Sequence, residues 1–128
     1  MIELVWDAGQ TATARLPSGN DLTVGEHPAL SPVDLAAVSA AASVMGAFMD
    51  AASETGAPVL GYVATADVEQ PESGQPVLHL RSYVVGSEGM DDESFSALAV
   101  RALERSVVAR LFGDSVSAEW DLRVLHGV

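Results

Sequence analysis

A chain of 128 residues suits a single domain, and at that size about two-thirds of the unfolded surface can be buried. Apolar residues make up 48%, which argues against disorder; 18 acidic residues against six arginines and no lysine leave a net charge of −12. That balance disfavours nucleic acid and anionic membranes, because phosphate neutralisation needs basic clusters.

Two absences remove whole classes of chemistry. Without cysteine there is no disulfide, no thiol nucleophile and no thiolate metal site. Without lysine there is no Schiff base and no P-loop lysine. The motifs GxxxxGK[ST], GxGxxG and HExxH do not occur, so neither a metal nor a cofactor is expected. No apolar run reads as a membrane span, and MIELVWDAGQ does not read as a secretory signal. The expectation is a soluble cytoplasmic protein.

In chain order, residues 2–6 alternate weakly and predict a strand, and residues 10–16 a second one rich in Thr and Ala. Pro17-Ser18-Gly19-Asn20 is a turn cluster, residues 21–24 a short third strand, and residues 25–30 a loop. A long helix follows to about Thr55. Ser31 suits its N-cap, Pro32 its first position, and Asp34 the positive end of its dipole. Leu35, Val38, Ala42, Met45 and Met49 recur at steps of three and four as an apolar stripe, and the two methionines read as gap-filling core. The residues between are mostly Ala, Gly or Ser, so the helix is apolar nearly all round and must be covered nearly all round. A second subunit is the natural cover. Gly56 and Pro58 mark its end.

Residues 59–68 and 76–85 predict a long hairpin across the polar turn EQPESGQ. Val59, Gly61, Val63 and Thr65 share one face of the first strand. On the second, Val77, His79, Arg81, Tyr83 and Val85 oppose Leu78, Leu80 and Ser82. Asp91 caps a second helix that Gly113 closes, with Phe95, Leu98, Ala102 and Val107 as its buried stripe and Arg101, Glu104 and Arg105 in solvent. Residues 116–125 alternate as a last strand, with Val116, Ala118, Trp120, Leu122 and Val124 on one face. Trp6 and Trp120 read as core. The order βββ–α–ββ–α–β predicts an α+β fold with antiparallel sheet, in one domain over residues 1–128.

His27, His79 and His126 lack metal-ligand spacing and read as structural or exposed, and Asp91-Asp92-Glu93 reads as a helix start. Ser43 and Ser106 fall inside predicted helices, where serine has modest propensity. The simplest role for each is a hydroxyl bond to the carbonyl one turn back. Neither lies in a GxSxG elbow, so a serine hydrolase is not expected.

At these serines the chain resembles a family. Pro32-Val33-Asp34-Leu35-Ala36-Ala37, running on to Ala41-Ala42-Ser43, resembles the helix start of OsmC/Ohr proteins, the osmotically induced and organic-hydroperoxide-resistance proteins. That helix typically reads Pro-Glu-Gln/Glu-Leu, small residues, then Ala/Ser-Cys. Ala102-Leu103-Glu104-Arg105-Ser106-Val107-Val108 resembles their second signature, a Cys-Pro-Val-like turn of helix. The separation of 63 residues between Ser43 and Ser106 suits the family's two cysteines, and the element order fits.

The resemblance implies an intertwined homodimer, with antiparallel sheets of both subunits wrapped around long central helices. It implies thiol-based reduction of organic hydroperoxides: one Cys attacks and the other closes a disulfide, while a Glu at the helix start and an N-terminal Arg hold the first thiolate. Here Ser43 stands at the attacking position and Ser106 at the resolving one. Val33 stands where the Glu belongs, beside Asp34, and Arg15 matches the Arg. A thiol of pKa near 8.5 can be brought below 7, whereas an alcohol starts far higher and forms no disulfide. No thiol peroxidase activity is therefore expected. The expected function is binding of a small apolar ligand at a dimer-interface pocket lined by Ser43, Ser106, Arg15, Val33 and Met45. The alternatives are an enzyme with non-thiol chemistry at that site and a non-catalytic interaction scaffold.

Overall fold

The computed structural model describes residues 1–25 and 31–127, so His27 and nearly all of the predicted 25–30 loop lie outside the described residues. The chain divides into two compact units, Met1–Ala36 and Ala37–Val128.

In the N-terminal unit, β1 (Glu3–Ala8), β2 (Thr11–Arg15) and β3 (Asp21–Val24) form an antiparallel meander in the order β1-β2-β3. Close approach demands glycine at position 25, where φ is +152° and a Cβ would lie 2.6 Å from the Gln10 carbonyl oxygen. Trp6 departs from expectation. It is 72% exposed, and its indole N–H donates to the Gly9 carbonyl at 2.9 Å. Period-two alternation puts Ile2, Leu4 and Trp6 on one face, and all three are exposed in a single chain.

The helix α1 (Pro32–Thr55) begins in this unit and continues through the next. Ser31 Oγ accepts the Asp34 N–H at 3.0 Å, the capping bond its sequence position predicts. By length and composition α1 could cross a membrane, contrary to the sequence reading. That composition has another use here, because one face of α1 forms the floor of the core.

The C-terminal unit adds β4 (Val59–Glu69), β5 (Val77–Ser87), α2 (Asp92–Arg105), α3 (Val107–Leu111) and β6 (Val116–Leu125). The sheet order is β4-β5-β6. The β4–β5 hairpin is antiparallel, but β6 pairs with β5 in parallel, from Leu78 opposite Val116 to Ser87 opposite Leu125. The prediction of antiparallel pairing throughout is corrected there. The helical segment carries the chain from the end of β5 back to its beginning, so β6 must run the same way.

The core gathers Val44, Phe48, Leu78, Val84, Phe95 and Leu98, joined by Tyr62, Trp120 and Leu122 from the sheet's inner face. On α1 the buried positions are Ala37, Ala40, Val44, Phe48, Ala51 and Ala52. The predicted stripe is a different one: Val38 is 55% exposed, Ala42 and Met49 are exposed, and Leu35 and Met45 are half-buried. A helix this apolar carries two stripes, and the sheet covers the one with Phe48. On β4 a register shift between Val59 and Gly61 moves Val59 to the core side, while Val63 and Thr65 face out.

The predicted second helix is two helices. It breaks at Ser106, and Val107, expected in the buried stripe, is 60% exposed because the break changes the helical phase. At the start of α2, Asp91 Oδ1 accepts the Ser94 N–H at 2.7 Å. That bond holds the Asp91 carboxyl below its ordinary range. Because the folded-state value is depressed, the contribution is present above the unfolded value and is lost as pH falls through the folded one. Asp91→Ala is expected to unfold more easily than wild type at pH 7 and to converge with it in acid. Urea titrations across pH check this; a constant difference would show that the carboxylate is not the cause.

Candidate functional site

The break between α2 and α3 is made by one residue. Ser106 adopts an extended conformation, φ −71° and ψ 112°, and serves as C-cap of α2 and N-cap of α3. Its backbone N–H donates to the Ala102 carbonyl at 3.0 Å, and its Oγ accepts the Ala109 N–H at 3.2 Å. Serine is a poor interior helix residue and a good cap, so the local chemistry favours an interruption. Freed from the helix, the hydroxyl reaches α1: Ser106 Oγ lies 2.7 Å from Ser43 Oγ. Ser106 is 1% exposed and Ser43 is half-buried. The expected bonds to carbonyls one turn back are replaced by this hydroxyl pair.

Deeper in the same unit, Phe48 stacks on Trp120 at 5.5 Å between centroids and meets Tyr62 and Phe95 edge-on at 5.4 and 6.0 Å. Tyr62 OH pairs with Ser82 Oγ at 2.8 Å; burial pushes its phenol up, and the bond to Ser82 opposes that. Arg105, predicted in solvent, is exposed but donates to Glu54 at 2.9 Å, which lowers the Glu54 carboxyl and raises the Arg105 guanidinium. Sequence reasoning missed both pairings, whose partners are 20 and 51 residues apart. The Ser106 cap did leave a local signal, a serine opening Val-Val-Ala-Arg-Leu.

The structure thus joins Ser43 and Ser106. Arg15 and Val33 belong to the N-terminal unit, where Arg15 pairs with Glu3 at 3.6 Å and Val33 is 40% exposed. Met45 follows Ser43 by two residues, about 200° round the helix, so its side chain leaves on another face. The larger cavities of the C-terminal unit lie elsewhere. One of about 460 Å³ is lined by Leu103, Ala109, Arg110 and Val116, and one of about 330 Å³ by Phe95, Val100, Leu103 and Trp120. Among the described residues no group of three His, Asp or Glu could hold a metal ion.

The fold of this chain has known counterparts. No family model matches the chain, and no curated protein matches it in sequence. Among solved structures it is similar to a hypothetical protein from Aquifex aeolicus, with TM-score 0.80, 14% identity, and coverage of 100% of this chain and 97% of that one. It is similar to an organic hydroperoxide resistance protein OsmC from Legionella pneumophila, with TM-score 0.70, 19% identity and 97% of each chain covered. It is also similar to the organic hydroperoxide resistance protein OhrB of Bacillus subtilis, with TM-score 0.68, 17% identity, and 96% and 98% covered. The chain has the OsmC/Ohr fold.

Proposed function

We propose that this chain is a cysteine-less member of the OsmC/Ohr family that has lost thiol peroxidase chemistry and binds a small apolar ligand as a soluble, cytoplasmic homodimer. One observation carries the reading. The two serines at the positions that the resemblance gives to the reactive cysteines are 63 residues apart in sequence and 2.7 Å apart in space. Arg15 and Val33 are the further lining residues that the resemblance assigns and the geometry leaves open, whereas Met45 leaves α1 on another face. Peroxide reduction needs a thiolate to attack the O–O bond and a second thiol to form the disulfide; hydroxyls do neither. Incubation with cumene hydroperoxide and a dithiol is expected to give no peroxide loss above the protein-free rate, and turnover would refute the loss of chemistry.

Dimerisation draws support from the apolar surface a single chain leaves open. Val38 and Met49 on α1, Leu4 and Trp6 on β1, and Ile2 just before it are all exposed. Covering each large side chain is worth about 1.5–3 kcal/mol, so several together favour an obligate pairing. Light scattering is expected to give twice the chain mass of 13.3 kDa at micromolar concentration, and Val38→Glu with Met49→Glu to abolish it. A folded wild-type monomer would count against the assembly. Native mass spectrometry of the freshly purified dimer is expected to show a co-purified ligand.

The scaffold reading draws on the cavities of the single chain, which Ser43 and Ser106 do not line. A ligand-free dimer with a dry, filled interface would favour it.

A further inference from the structure

The hydroxyl pair has a direction, and that direction names the kind of ligand the proposed pocket would take. A hydroxyl carries one proton. Ser106 Oγ already accepts the Ala109 N–H, and it lies 2.7 Å from Ser43 Oγ. If Ser43 donated, Ser106 Oγ would accept twice. Its own proton would then be sealed in a residue 1% exposed, with no other hydrogen-bond partner among the described residues. Buried polar groups left unpaired are costly. In the opposite sense every polar group of Ser106 is satisfied: the backbone N–H by Ala102, the Oγ lone pair by Ala109, and the Oγ proton by Ser43.

Ser43 is then an acceptor within the protein, and its own proton must leave on the side away from Ser106. That side is open. Ser43 is half-buried, its neighbours one turn away, Ser39 and Gly46, are exposed, and a Cβ at Gly46 would meet nothing within 4 Å. Each bond in the chain from the Ala109 N–H through Ser106 to Ser43 polarises the next. We infer that Ser43 is a directed hydrogen-bond donor and that the site selects an apolar molecule whose polar end is an acceptor-only oxygen such as a ketone or ester carbonyl.

This inference rests on the pocket reading above, and its test separates the two. The probes are 2-nonanone and nonane, titrated into the dimer by NMR. Ser43→Ala is expected to weaken 2-nonanone about fivefold, the range of one hydrogen bond, and to leave nonane unchanged. An unchanged ketone affinity in Ser43→Ala, or an equal loss for both probes, would overturn the inference. If neither probe binds, the pocket reading fails and the ligand class with it. The hydroxyl protons of the wild-type protein decide the direction without a ligand. A slowly exchanging Ser106 proton with a cross-peak to the Ser43 methylene supports the assignment; a protected Ser43 proton and a fast Ser106 proton overturn it.

Discussion

Replacing both Ser43 and Ser106 with cysteine is expected to yield a protein that one equivalent of cumene hydroperoxide converts to an intramolecular disulfide. The oxygens of the two serines already lie 2.7 Å apart. A C–S bond is longer than a C–O bond, so each sulfur sits further along the same line, toward the separation of about 2.05 Å that a disulfide needs. The chemistry balances. The thiolate introduced at position 43 takes one peroxide oxygen as a sulfenic acid and releases the alcohol; the thiol introduced at position 106 then displaces water. Closing a loop of this length should stabilise the oxidised form by about 4 kcal/mol in the chain-entropy description. A dithiol would reset the pair and allow turnover. Thiol titration and intact mass before and after peroxide check this. Ser43→Cys alone should stop at the sulfenic acid. Two free thiols persisting in the folded, peroxide-treated double variant would show that the facing hydroxyls do not mark a redox-competent geometry.

Phe48→Ala is expected to be the most damaging single change in the core. Phe48 is fully buried and touches three other aromatic rings, from β4, α2 and β6, so its removal opens a cavity that no one neighbour can fill. Such truncations cost about 3–5 kcal/mol, against a total stability of about 5–15 kcal/mol for a domain. The melting temperature should fall by roughly 10–20 °C. Val63→Ala on the exposed face of β4, where Val63 is 63% exposed, is the control and should change stability by less than about 0.5 kcal/mol. Thermal melts followed by circular dichroism measure both, and similar losses in the two would place the core elsewhere.

Local elements were legible because their signals are local. Ser31, Pro32 and Gly56 bracket a helix in sequence, and it runs from Pro32 to Thr55. Asp91 announced a helix start and is its cap. The alternation of residues 116–125 identified the inward face of β6, with Trp120 against the core. Trp6 follows the same alternation on β1 and is exposed, because period two tells which residues share a face and not whether anything covers it.

The order of elements up to the second helix and the absence of any thiol were contained in the sequence, since each depends on residue identity and spacing alone. Tertiary structure alone decided the rest. It chose the Phe48 stripe of α1 over the Val38–Met49 stripe, turned β6 parallel to β5, and brought the Ser106 hydroxyl to Ser43. The physical reason is common to all three: each is a choice between locally equivalent options, and only contacts between residues distant in the chain make one of them lower in free energy.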